Sequence, residues 1–113
     1  MKRTTVEFAG GFRVLIGDEH SQAASMVIPS GDKEGGPDNA HAGADQWLYV
    51  QEGVGEAIVN GQKYPLAPGS LLLIQRGDKH EIRSTGDSAL KTLNVYVPPA
   101  YTKDGEELPA ASS

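Results

Sequence analysis

The most regular pattern of hydrophobic and polar positions begins at Gln46 and has a period of two. Such alternation is typical of a β-strand, whose successive side chains point to opposite faces of a sheet. One face is predicted to carry Gln46, Leu48 and Val50. The other face is predicted to carry Trp47 and Tyr49. A strand that buries one face in this way indicates a sheet packed against a core.

Other short segments are rich in β-branched and aliphatic residues and are separated by Gly, Pro, Asn or Asp turn signals. Asn60-Gly61 is a strong hairpin signal. No segment of helical length has a 3.6-residue period. The polar, Gly-rich stretch 31–45 is predicted to be a loop. The remaining strands are predicted at 12–16, 23–28, 56–59, 63–66, 70–75, 80–83 and 90–97. This rhythm predicts an all-β sandwich or barrel.

The length of 113 residues fits one domain, 1–113, with a core over about 12–98. The 14 glycines and 7 prolines favour short strands and tight turns over long helices. The tail, about 103–113, is polar and acidic, and we expect part of it to be disordered. We find no internal repeat and no second domain.

Charge and cysteine content exclude several classes of function. A net charge of -5 without a Lys/Arg patch argues against nucleic acid as a partner. The chain has no cysteine, which excludes disulfides, thiolate zinc sites and cysteine nucleophiles. No apolar run has the length of a signal peptide or of a membrane span. We therefore expect a cytoplasmic protein with no membrane partner.

The glycines after the alternating strand resemble the two sequence motifs of the cupins, which are double-sheet jelly rolls. Six residues separate Gln46 from Gly53, as between the Glu and the Gly that end the first cupin motif. Gly69, Gly77 and His80 match the second motif at its spacing, although Gln75 and Ser84 replace its Pro and Asn. The resemblance covers roughly residues 22–98. It implies a jelly-roll barrel, the fold that is also called a double-stranded β-helix.

The same alignment indicates a candidate site. Cupins with the full motif hold a divalent metal ion, such as Fe, Mn, Ni, Cu or Zn, with three His and one Glu. The four matching positions here are Asn39, His41, Gln46 and His80. The resemblance implies that these residues line one interior pocket, with His41 and His80 facing each other across it. Since two of them are carboxamides, this donor set is neutral and should hold a metal less tightly than the family pattern.

Two alternatives for the metal ligands remain open from the sequence. In another registration, His41 follows Gly35 as the first histidine of the motif and Gly43 replaces the second. Asp45 is a further candidate ligand, because it lies at a loop end where strand alternation does not yet apply.

Two classes of function follow. The first is a metal-dependent enzyme of oxygenase, isomerase or lyase type that acts on a small molecule. The second is a binding or sensing module that holds a small ligand without a metal or turnover. Fold alone does not decide between them.

Several other side chains receive structural predictions. Trp47 and Tyr49 are expected on the outer face of the sheet, either packed under the N-terminal segment or, as we favour, in a homodimer interface. His20 is expected to be exposed, and Tyr96 and Tyr101 to be packing residues. The candidates for the apolar wall of the pocket are Leu48, Val50, Leu72, Ile74 and Ile82.

Overall fold

The computed structural model describes residues 1–35 and 43–108, and all regular structure in these ranges is β-strand. Within them there is accordingly no helix long and apolar enough to cross a membrane. The strands are β1 (Gly11–Gly17), β2 (Gln22–Ile28), β3 (Lys33–Gly35), β4 (Asp45–Glu52), β5 (Gly55–Val59), β6 (Gln62–Leu66), β7 (Leu71–Ile74), β8 (His80–Ser84) and β9 (Leu90–Val97).

The strands form two antiparallel sheets. The five-stranded sheet has the order β1-β2-β9-β4-β7, and the four-stranded sheet has the order β3-β8-β5-β6. Neighbouring strands in each sheet are often distant in sequence, so the chain crosses repeatedly between the two sheets. This arrangement confirms the predicted all-β jelly roll.

The alternation along β4 is confirmed. Gln46, Leu48 and Val50 are buried, whereas Trp47 and Tyr49 are 43% and 40% exposed. β4 is an interior strand of its sheet, hydrogen-bonded to β9 on one side and to the edge strand β7 on the other. Its register is therefore fixed from both sides, and a slip by one residue would expose the whole buried set.

The prediction of a loop over 31–45 is wrong for Lys33–Gly35, which form β3 at the edge of the smaller sheet. All three residues are exposed, so no hydrophobic alternation marks this strand in the sequence. Backbone pairing with β8 forms it, supported by an ion pair in which Lys33 Nζ lies 3.0 Å from Glu81 Oε1. Arg83 Nε contacts the other oxygen of Glu81 at 3.0 Å. These two cations hold the pKa of Glu81 below its usual value, against the opposing effect of burial.

The core divides into two clusters that share Phe12. The larger cluster fills one end of the barrel with aliphatic side chains from both sheets. The smaller cluster contains Tyr96 and alanines at the other end, with Tyr101 packed against it. The predicted wall residues all belong to the larger cluster: Leu48, Val50, Ile74 and Ile82 are buried in it, and Leu72 packs against it.

The segment after β9 crosses the second end of the barrel and is held there by the side chain of Gln22. The amide oxygen of Gln22 accepts hydrogen bonds from the backbone N–H groups of Ala100 and Tyr101, at 3.2 and 3.1 Å. Its Nε2 donates to the carbonyl of Tyr101 at 2.7 Å. A turn over 102–108 closes with a bridge between Tyr101 and Glu107. The rest of the predicted tail, 109–113, lies outside the described residues.

Close pairing of β5 and β8 depends on a glycine. A Cβ on Gly55 would lie 2.1 Å from the carbonyl oxygen of Arg83, which is backbone and cannot give way cheaply. We therefore expect Gly55→Ala to lower the free energy of unfolding by about 2–3 kcal/mol, measured by urea denaturation. Gly10→Ala is the control, because nothing lies within 4 Å of its Cβ. Equal stability of the two variants would contradict this packing.

Candidate functional site

A cavity of about 230 Å³ lies between the two core clusters. Side chains from both sheets and from the segment after β9 line it. Of the predicted wall residues only Ile82 is among them, because the others are packed deeper in the larger cluster. The lining residues are Phe12, Met26, Glu34, Gly35, Gln46, His80, Ile82, Tyr96, Tyr101 and Gly105. The fold thus brings Gln46 and His80, two of the four predicted site residues, to one cavity.

Gln46 is held by a chain of hydrogen bonds between buried side chains. Its Nε2 donates to Asn94 Oδ1 at 3.0 Å, and Asn94 Nδ2 in turn donates to Thr92 Oγ1 at 3.0 Å. Asn94 and Thr92 lie two residues apart on β9, beside β4, and are fully buried. Turning the Gln46 amide over alone would set two oxygens against each other, so it would keep this hydrogen bond only if Asn94 turned over with it.

The other end of this amide is an acceptor without a partner. Gln46 is 2% exposed, and among the described residues its Oε1 makes no hydrogen bond. An unsatisfied buried acceptor costs about 1–3 kcal/mol. Native proteins rarely keep such a group unless a ligand, ion or water satisfies it. Gln46 Oε1 is therefore an acceptor that a metal ion or a hydrogen-bond donor would satisfy.

His80 begins β8 and is 5% exposed. Its Nδ1 lies 3.1 Å from the carbonyl oxygen of Asp78. Since a carbonyl only accepts, Nδ1 carries the proton, and in the neutral ring Nε2 carries the lone pair. The carboxylate of Asp78 also fixes the turn before β8, because it accepts from Gln75 N at 2.9 Å and from Asn60 Nδ2 at 3.0 Å. A rigid turn thus positions the imidazole.

Three aromatic rings, those of Phe12, Tyr96 and Tyr101, line the cavity at the second end of the barrel. The ring centroids of Phe12 and Tyr101 are 4.5 Å apart, and those of Tyr96 and Tyr101 are 5.1 Å apart in an edge-to-face arrangement. A side-chain hydrogen bond joins the two tyrosines. Burial raises the pKa of Tyr101 to about 12, and it raises the pKa of Tyr96 well above its usual value. Both phenols are therefore protonated at neutral pH.

Glu34 adds a carboxylate to the cavity lining that the motif positions do not contain. It pairs with Ile82 across β3 and β8, and both residues line the cavity, where Glu34 also remains exposed to solvent. The four donors predicted from the sequence are neutral. The cavity around Gln46 and His80 differs from this prediction because an acidic residue, Glu34, also lines it. Only the unpredicted strand β3 brings it there.

The other candidates from the sequence have different outcomes. Asn39 and His41 lie outside the described residues. Asp45 does not line the cavity; its Oδ1 accepts from Arg76 N at 2.9 Å and lies 3.3 Å from Arg76 Nε. The hydrogen bond from the Arg76 backbone N–H is the main cause that lowers the pKa of Asp45. His20 is exposed, as predicted.

Metal-binding chemistry within 1–35 and 43–108 is limited to a few side chains. These ranges contain no group of three or more His, Asp and Glu side chains placed to hold one ion. The described donors suited to a divalent ion in the cavity are His80 and Gln46 Oε1, with Glu34 as a further lining carboxylate.

Sequence reasoning missed the role of Tyr96, Tyr101 and Glu34 in the cavity. For Tyr96 a signal exists, because alternation along β9 places it on the same side as Asn94. Glu34 and Tyr101 lie outside any alternating segment, so no pattern in the sequence places them. Their position depends on backbone pairing and on the Gln22 hydrogen bonds.

Comparison with known proteins gives two kinds of sequence match. A family model described as a cupin domain matches residues 24–96. An L-ectoine synthase from Aliivibrio fischeri is 34% identical over 53 residues, which make up 46% of this chain and 41% of that enzyme. The chain thus matches less than half the length of this relative. An L-ectoine synthase from Rhodococcus erythropolis is 25% identical over 116 residues, covering 90% of this chain and 86% of the relative.

A solved structure agrees with the family match. The crystal structure of a Bacillus halodurans protein superimposes with a TM-score of 0.77 and 26% sequence identity. It covers 89% of this chain and 77% of that protein. With its family match over most of the two sheets and this shared fold, the chain belongs to the cupin family.

Proposed function

We propose that this cupin acts on a small molecule inside the barrel, at a site centred on Gln46 and His80 that holds a divalent metal ion. The observation that carries the proposal is that Gln46 Oε1 is buried and has no hydrogen-bond partner among the described residues, in a cavity that His80 also lines. The similarity to L-ectoine synthase supports small-molecule chemistry as the class of function.

The residues present fit a divalent ion. An imidazole nitrogen and an amide oxygen are both ligands found in metalloproteins, and Gln46 Oε1 is held ready by Asn94. His80 and Gln46 would hold the ion, and the family resemblance adds His41 and Asn39. The charge of the ion would lie among these neutral donors, and the carboxylate of Glu34 also lines the cavity. A set of neutral ligands predicts weaker metal binding than a set that includes a carboxylate ligand.

A bound ion would supply Lewis acidity to a small molecule in the cavity. The protein groups have other tasks. Asn94 orients Gln46, and the carbonyl of Asp78 fixes the tautomer of His80. Tyr101 and its neighbours cover the cavity from the side of the C-terminal segment, which limits the access of water.

Gln46→Glu tests the metal site. The new carboxylate adds a negative charge beside the ion, so we expect the affinity for Mn²⁺ or Zn²⁺ to rise about tenfold or more. The variant should fold, because the Asn94 amide can turn over, donate to the new carboxylate and accept from the Thr92 hydroxyl. Isothermal titration calorimetry on tag-free protein measures the affinity.

The control for this test lies on the same strand. Gln51→Glu makes the same change of charge on the exposed side of β4 and should leave the affinity unchanged. His80→Ala should weaken binding at least tenfold, because it removes the imidazole ligand. Unchanged affinity in Gln46→Glu would place Gln46 outside the coordination sphere and contradict the proposal.

A second candidate is a site that binds a small molecule without a metal. The observation in its favour is that neither Gln46 nor His80 is a carboxylate, and the described lining contains one, Glu34. An amide oxygen that acts as an acceptor suits an N–H or O–H donor of a ligand as well as it suits an ion. Metal analysis of the tag-free protein separates the candidates: near-stoichiometric metal that is lost in His80→Ala supports the first. Metal-free protein that gains no thermal stability from added ions supports the second.

We further propose that the outer face of the larger sheet is the interface of a homodimer. Leu71 and Leu73 of β7 are 63% and 43% exposed beside Tyr49 and Trp47 of β4. None of these four side chains is charged, in a chain with a net charge of -5. A second copy presents the same uncharged apolar face, so a two-fold axis would pair it with itself. Aromatic and apolar side chains of this kind are enriched in such interfaces.

Leu71→Glu tests the dimer. A charge in the middle of an apolar interface should dissociate it, so the mass measured by light scattering should fall from twice the 12.0 kDa of the chain to that of one copy. Val6→Glu makes the same change at an exposed position near the N-terminus and should leave the dimer intact. A wild-type protein that stays at the mass of one copy at high micromolar concentration would contradict the proposal.

A further inference from the structure

The cavity has an unusual balance of polar groups. Among its described lining residues there is no Lys or Arg, and Glu34 is the one carboxylate. A ligand with a negative charge would therefore meet no fixed cation on these walls.

The deepest polar group of the cavity is an acceptor. Gln46 Oε1 has no donor among the described residues, and its amide does not turn over on its own without losing the hydrogen bond to Asn94. This acceptor satisfies a ligand that brings hydrogen-bond donors, and it repels one that brings a carboxylate.

The aromatic end is subject to a negative potential. After burial, the charges of Glu107 and Glu34 contribute to raising the pKa of both Tyr96 and Tyr101. A field that opposes ionisation of a phenol favours a cation placed in the same region. The faces of aromatic rings add to this preference, because their quadrupole attracts cations.

We propose that the ligand of the cavity is a small organic cation with N–H donors, of the amidinium, guanidinium or ammonium class. Its N–H group donates to Gln46 Oε1, and its charge is balanced by the carboxylate of Glu34. The cavity of about 230 Å³ has the liquid volume of roughly eight water molecules, which suits a compact ligand. The inference rests on the second candidate above, a small-molecule site without a metal, because the charge of a bound metal ion would oppose a cation.

Three probes of the same shape test the preference for charge: benzamidinium, benzamide and benzoate. Titrations of EDTA-treated protein, followed by NMR, give the affinity for each. We expect benzamidinium to bind at least tenfold more tightly than benzamide, and benzoate to bind more weakly than both. If benzamidinium does not bind, or if benzoate binds as tightly, the inference is wrong.

Glu34→Gln tests whether the carboxylate of Glu34 causes the preference for benzamidinium over benzamide. The substitution keeps the shape of the side chain and should weaken benzamidinium binding about fivefold to tenfold, with benzamide almost unaffected. Glu19→Gln is the matched control, because it changes the net charge equally at an exposed position. Equal effects of the two variants would contradict the role of Glu34.

Gln46→Met separates failure of this inference from failure of the proposed site. Methionine has a similar length but lacks the amide acceptor, so it should weaken both benzamidinium and benzamide. If Gln46→Met weakens the binding of both ligands but the three probes show no preference for the cation, the proposed site is supported and the proposal of a cationic ligand is wrong. If benzamidinium is preferred but Gln46→Met has no effect on it, the ligand binds away from Gln46 and the proposed site is wrong. Circular dichroism confirms that each variant is folded.

Discussion

A hydrogen bond between two buried carboxamides, from Gln46 Nε2 to Asn94 Oδ1, determines which atom the cavity offers to a ligand. It exists because β4 and β9 are neighbours in register and both point these side chains inward. Asn94 in turn donates to Thr92, and in this arrangement Gln46 Oε1 is left as an acceptor without a partner among the described residues. The sheet thus holds a buried group that costs free energy until it is bound.

The two ends of the barrel serve different purposes. Aliphatic side chains from both sheets fill one end and stabilise the fold. At the other end, Phe12, Tyr96 and Tyr101 pack against one another and leave a cavity beside Gln46 and His80. The C-terminal segment is held there by hydrogen bonds to Gln22 and not by a strand of either sheet. A closure of this kind is more easily opened than a paired strand, because fewer contacts must break.

The sequence predicts most of the fold and part of the candidate site. Alternation from Gln46 to Val50 and the turns at glycines are local signals, so eight of the nine strands follow from them. β3 does not, because its residues are exposed and its partner is distant in sequence. For the same reason the sequence misses Glu34, and it misses Tyr101 because a glutamine some 80 residues away holds that segment. Motif spacing identifies Gln46 and His80, because it indicates which positions of the family pattern they occupy. It gives no information about the electrostatics of the cavity.

The state of the Gln46 amide is the most direct test of this account. Its side-chain carbonyl carbon has an NMR chemical shift that responds when the oxygen binds an ion or accepts a hydrogen bond. Titration of ¹³C-labelled protein with Zn²⁺ and, separately, with benzamidinium covers both candidate ligands. We expect the Gln46 resonance to move with at least one of them, while that of the exposed Gln51 stays in place. A Gln46 resonance that moves with neither, or no further than that of Gln51, would contradict it.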